Sequence, residues 1–199
     1  MSSVVLSGDT SGTVTVTVPA VAGSNTVTIP AGTGTAAVQG VSTNIVSGTA
    51  VASTSGTLID FTSIPSWVKR ITVMMNGVSL SGTADVLVQL GSGSVTTSGY
   101  VVTWGYLFTA SSVGVNSSTT SIARAASINA STAWTGVVTV TLLSGNTWCS
   151  SATLGSNTDK IITYSSGSIA LGGSLDRVRV TSSNGTDTFD AGSINILYE

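Results

Sequence analysis

Near its C-terminus the chain reads Leu175-Asp176-Arg177-Val178-Arg179-Val180-Thr181, then Asn184-Gly185, then Ser193-Ile194-Asn195-Ile196-Leu197-Tyr198. Successive side chains of a strand point to opposite faces, so Val178 and Val180 share one face while Arg177 and Arg179 share the other. That is the pattern of a strand with one dry side and one wet side. Asn184-Gly185 suits the positive φ angles of a tight turn, and the segment from Ser193 to Tyr198 finishes the chain as another strand.

The same grammar extends back along the sequence. Trp134 to Leu143 reads as a strand with Val138, Val140 and Leu142 on one face, and Thr147 to Leu154 follows after Gly145-Asn146. Trp67 to Met75 alternates through Ile71, Val73 and Met75, and Asn76-Gly77 is expected to turn the chain there. Val86 to Leu90 is a strand ended by Gly91 and Gly93, and Tyr100 to Phe108 is an aromatic-rich strand interrupted by Gly105. Residues 110 to 132 keep no steady period and read as a long Ser/Thr-rich loop with room for short strands. No stretch sustains a 3.6-residue period. About eight short strands separated by turn signals predict an all-β fold, an antiparallel, jelly-roll-like β-sandwich.

Composition agrees. Of 199 residues only 7% are charged, against roughly 25% in an ordinary soluble domain. Small hydroxylic and β-branched residues fill much of the rest, a mixture suited to a pleated, half-buried surface and ill suited to a helix. Net charge is −2, with no basic stripe to follow a phosphate backbone, so nucleic acid is not an expected partner. Little charge also means little repulsion between copies, and bare sheet edges are a hazard that assembly covers. Self-association is therefore expected. No apolar run approaches the ~20 residues that span a bilayer, so no membrane insertion is expected. Residues 1–6 lack a secretory pattern, which predicts a protein made in a cytoplasm without a signal peptide.

The first fifty residues have a different texture. Thr15-Val16-Thr17-Val18-Pro19 is echoed by Thr26-Val27-Thr28-Ile29-Pro30, each copy a short alternating strand closed by Pro-Ala. Proline cannot donate to a ladder, so it marks a stop or an edge. Two such strands cannot build a core alone. They could pack around a threefold axis, lie on a partner protein, or fold as a flap on the main domain. The organisation expected is an extended N-terminal β segment over residues 1–51, for attachment or as a trimer stalk, and a C-terminal β-sandwich domain over residues 52–199.

Chemistry has few places to reside. The chain has no histidine and one cysteine, Cys149, so the usual nucleophilic triads and zinc sites cannot be assembled. Cys149 itself reads as a buried thiol beside Trp148. A carboxylate pair is the remaining route to glycan hydrolysis, from Asp187 and Asp190 with Asp176 nearby. The same turn offers oxygens to calcium but lacks the spacing of a recognised calcium loop. The favoured role for Asp176, Asp187 and Asp190 is an ion-pair network with Arg177 and Arg179 that ties the last strands together. Tyr100, Trp104 and Tyr106 alternate and share one face. Exposed, that row could stack on a cell-surface glycan; buried, it belongs to the core or to a subunit interface. No catalytic residue, metal or cofactor is expected.

Two segments look familiar. Phe61-Thr62-Ser63-Ile64-Pro65-Ser66-Trp67-Val68-Lys69-Arg70-Ile71-Thr72-Val73 resembles the opening of a C-terminal β-sandwich domain found in many phage tail fibre and tail proteins. The stretch from Leu175 to Glu199, with Asn184-Gly185-Thr186-Asp187-Thr188-Phe189-Asp190-Ala191-Gly192, resembles that family's closing block. The resemblance spans roughly residues 52–199 and rests on its two ends. It implies a non-enzymatic virion protein, in a tail fibre or tail tip involved in host attachment. The partners implied are further copies in a homotrimer and other virion proteins held through the N-terminal segment. A capsid decoration protein and a glycan-cleaving tail spike are the alternatives.

Overall fold

The computed structural model describes residues 3–7, 13–17, 45–109 and 112–199, and the chain divides into two compact units, Met1–Gly40 and Val41–Glu199. In the first unit, β1 (Ser3–Ser7) and β2 (Thr13–Thr17) form an antiparallel pair, with Val5 opposite Thr15. The partner of the first Thr-Val strand is thus the segment ahead of it. The echo at Thr26 to Pro30 lies outside the described residues.

The second unit is an all-β sandwich of two antiparallel sheets. Its strands are β3 (Val46–Ser47), β4 (Val51–Ala52), β5 (Leu58–Thr62), β6 (Arg70–Leu80), β7 (Val86–Ser92), β8 (Ser94–Val95) and β9 (Val101–Phe108). They continue as β10 (Ser112–Ser118), β11 (Ala123–Ala125), β12 (Trp134–Ser144), β13 (Thr147–Ser156), β14 (Ile161–Ala170), β15 (Arg177–Ser182) and β16 (Phe189–Tyr198). The larger sheet runs β10-β9-β14-β13-β12-β6-β16-β3, with β4 also on β16; the smaller runs β11-β7-β15-β5, with β8 on β7. Residues 46–52, all but the last of them expected to belong to the N-terminal segment, hydrogen-bond to the last strand: Val46 and Ser47 face Tyr198 and Leu197, and Val51 and Ala52 face Ile194 and Ser193. The sandwich therefore begins ahead of residue 52.

The core lies between the sheets. Ile71, Val73, Val138, Val140, Val178 and Val180 are all fully buried, as alternation demands. Trp134, Tyr100 and Phe189 are the largest side chains among them. Trp148 is also buried, whereas Cys149, its neighbour, points to the opposite face and is only half-buried, contrary to the expectation of a buried thiol. Trp67 is partly buried at the margin, its ring 5.9 Å from that of Tyr198.

Asn76-Gly77 does not turn the chain. β6 runs straight through it, and Gly77, at φ 64°, takes part in an irregularity where the pairing with β12 and with β16 shifts register. Its N–H leaves the ladder and donates to Oγ1 of Thr135. Opposite, Gly192 has φ 93°, and a Cβ there would lie 2.4 Å from the carbonyl oxygen of Gly77. The same residues that favour a hairpin turn also favour a bulge, because both need positive φ. The reach of β6 on either side, from Arg70 to Leu80, decides for the bulge.

Candidate functional site

The aromatic row faces inward. Tyr100 is 1% exposed and Trp104 7%, with Tyr106 half-buried behind them. An exposed glycan-stacking row is therefore overturned: β9 presents Val101, Thr103, Gly105 and Leu107 to its outer face instead. Tyr100 works as an internal tie. Its hydroxyl accepts the N–H of Leu90 at 2.9 Å and lies 2.8 Å from the carbonyl oxygen of Thr96, spanning the β7–β8 hairpin. Burial pushes its phenol up to about 12. Trp104 carries the Arg124 guanidinium over its ring at 5.2 Å, a cation–π contact.

The expected ion-pair network resolves into separate pieces. Arg177 pairs with its neighbour Asp176 at 2.7 Å, and this hydrogen bond holds the Asp176 carboxyl below its usual range. Asp176 also accepts the N–H of Gly93, anchoring the turn of the β7–β8 hairpin. Arg179 reaches across to Asp60 on β5 instead. Asp187 and Asp190 meet no arginine. Asp187 accepts the N–H of Ala84 at 2.9 Å, and its carboxyl is held low by Asn184 first and by that amide second. Asp190 accepts the hydroxyl of Ser79. Sequence proximity misled here: consecutive turn carboxylates are drawn to whichever donors lie across the fold, not to one another's partners.

These oxygens do not converge. Asn184 spends its side-chain oxygen on the N–H groups of Thr186 and Asp187, a local turn bond typical of Asn. Among the described residues no cluster of three or more His, Cys, Asp or Glu side chains could hold a metal ion. One open hollow of about 800 Å³ is lined by Leu107, Phe108, Thr135, Ser156, Thr158 and Lys160 with others, and no carboxylate lies among its lining residues. It offers no acid–base pair for hydrolysis.

Two further pairs were invisible beforehand. Arg124 meets Asp85 at 2.6 Å, and Arg70 meets Glu199, where the chain end folds back on the start of β6. Asp60 carried a signal, since it sits between Ile59 and Phe61 on the outer side of an alternating strand. Asp85 and Arg124 carried none, because nothing local links residues so far apart.

One broad exposed surface among the described residues is the outer face of the larger sheet. Five adjacent strands, β10, β9, β14, β13 and β12, contain no charged residue. At one end of that face Leu107, Val113, Val115, Val137, Ile162 and Tyr164 are between 40% and 70% exposed. They are neighbours through the register: Leu107 lies between Val113 and Ile162, and Gly105 lies between Val115 and Tyr164. A Cβ on Gly105 would come within 3.1 Å of the Tyr164 ring, so glycine there leaves room for the ring. Toward the other end the face carries hydroxyls, Thr103, Ser151, Ser166 and Thr139, and beyond them the exposed Val101. The arrangement can make contact over an area.

No family model, curated protein or solved structure matches the chain.

Proposed function

We propose that this chain is a structural part of a phage particle, in a tail fibre or tail tip, which helps the particle attach to its host as a homotrimer. The observation that carries the reading is the pairing of the two segments that resemble phage tail domains. They are more than a hundred residues apart, yet β5 pairs with β15 in the smaller sheet and β6 pairs with β16 in the larger, so the two blocks meet in both sheets. Segments that fold against each other are expected to be inherited together. A broad, uncharged, hydroxyl-bearing face supports the same reading, because shallow adhesion gains strength from repetition along an assembly more than from any single site. The N-terminal segment is the part assigned to other virion proteins.

Antibody labelling of purified particles by electron microscopy tests this. Label confined to the tail or its tip supports the reading. Label spread over the shell would replace it with capsid decoration, and unlabelled particles would end both.

A further inference from the structure

We infer that Asn184 is a site of spontaneous covalent modification. Its side-chain amide is converted to a carboxylate through attack by the Gly185 backbone nitrogen, while the second Asn-Gly pair, Asn76-Gly77, is protected by the fold. The inference goes beyond the proposed virion role and does not depend on it.

Both pairs have the residue order that the reaction needs. Glycine carries no Cβ beside its own nitrogen, so that nitrogen can approach the preceding side chain. It gives its proton to hydroxide or another base in solution and bonds to Cγ of the asparagine. Nδ2 then leaves as ammonia, taking a proton from water, and a five-membered succinimide ring remains. Water opens the ring. Cleavage of the Cγ–N bond leaves an ordinary aspartate. Cleavage at the backbone carbonyl leaves an isoaspartate, whose chain runs on through the side chain. One water is consumed and one ammonia released; nothing is oxidised or reduced.

The surroundings of the two pairs differ. Ser183, Asn184, Gly185 and Thr186 are all exposed, between β15 and β16. The Gly185 N–H makes a long bond, 3.4 Å to the Ser182 carbonyl. A Cβ on Gly185 would meet nothing within 4 Å, so a ring has room to form. Oδ1 of Asn184 accepts the N–H groups of Thr186 and Asp187 at 3.0 and 2.9 Å. That oxygen takes the negative charge when nitrogen adds to Cγ, and two donors already point at it. The nucleophile is loosely held and the electrophile is polarised.

Asn76-Gly77 lies inside β6. The Gly77 N–H is held by Oγ1 of Thr135 at 3.0 Å. Asn76 faces Ser193 in the ladder with β16, and Met75 and Val78 on either side are paired with β12. Ring closure there must break the bond to Thr135 and open the ladder around it. One such bond is a factor of about ten in rate.

Conversion at Asn184 bears on the fold around it. Asn184 is the first of the groups that hold the Asp187 carboxyl low, so a carboxylate in its place sets two like charges in one turn. An isoaspartate also lengthens the backbone just ahead of Asp187 and its bond to Ala84. Aged protein should therefore melt at a lower temperature.

The test holds the purified full-length protein in mildly alkaline buffer and maps its peptides by mass spectrometry over time. One arm contains heavy-oxygen water, and another keeps the chain unfolded in urea. Unfolded, the two pairs convert at similar rates, which sets the clock. Folded, Asn184 is expected to convert at least about tenfold faster than Asn76. Its products carry heavy oxygen and include isoaspartate, and the melting temperature falls as conversion proceeds. Asn184→Gln, whose longer side chain closes a ring far more slowly, should hold its melting temperature; near-UV circular dichroism matching the parent's shows that it is folded. The inference is overturned if folded Asn184 keeps its amide over the time in which the unfolded chain loses it. Equal rates at the two pairs in the folded protein overturn it as well, as does an Asn184→Gln protein that drifts like the parent.

Discussion

Arg179 and Asp60 stand directly opposite each other across the β15–β5 pair, and the guanidinium takes both carboxylate oxygens, at 2.7 and 2.6 Å. The bidentate geometry raises the already high pKa of Arg179. Both side chains are about a quarter exposed, so water and salt weaken the attraction. Asp60→Asn should therefore cost only about 0.5–1 kcal/mol, and less in high salt. A double-mutant cycle with Arg179→Gln, read by urea denaturation, measures it. A coupling several times larger would mean that the pair does more than join two strands.

Tyr100 gives a pH signature. Its folded-state pKa is about 12, above the ordinary value of 10.0. A raised folded pKa contributes stability that is complete below pH 10 and is lost as pH rises toward 12, because the unfolded chain ionises first. The loss should reach about 2–3 kcal/mol across that window. Tyr100→Phe removes this component and leaves the buried N–H of Leu90 without its acceptor, costing about 1–3 kcal/mol at neutral pH. Denaturation midpoints between pH 7 and 12 for both proteins check the two effects together.

Asp187 predicts the opposite sign at the acid end. Its pKa is lowered from 3.8 by Asn184 and by the amide of Ala84. A lowered folded pKa gives stability that is present above the unfolded value and fades as pH falls through the folded one. Asp187→Asn should flatten stability below about pH 4. Calcium should leave the melting temperature of the parent unchanged; a calcium-dependent rise abolished by Asp187→Asn would show that the turn holds a metal after all.

Gly192→Ala should be among the most damaging small changes. It asks an L-residue to hold φ 93° and drives a methyl group into the Gly77 carbonyl, backbone against backbone. A loss of about 2 kcal/mol or more is expected, readable as a shift in thermal midpoint.

The strands with large alternating residues were legible in the sequence. Val138, Val140, Val178 and Val180 are inside as alternation requires, and the sandwich class followed from such runs. β14 was missed for a physical reason. It reads Ile-Ile-Thr-Tyr-Ser-Ser-Gly-Ser-Ile-Ala, and its inward positions include Thr163 and Ser165, small polar residues that give a hydropathy pattern no period. β10 was hidden for the converse reason, since its valines face out. That reversal also hid the exposed apolar patch. The Tyr100–Trp104–Tyr106 row announced itself by size, and size is what the core claims first. Tyr164 and the β10 valines gain meaning only through the register that sets them side by side. Ion pairs divided the same way: Asp176 with Arg177 is local, while Asp60 with Arg179 needs the sheet.

The central claim is that this chain is built into a particle. Quantitative mass spectrometry of purified particles, counting this chain against the major shell protein, tests it most directly. The account predicts a fixed, low stoichiometry, a multiple of three and no more than tens of copies per particle. Hundreds of copies would place it on the shell, and absence from purified particles would contradict the account outright.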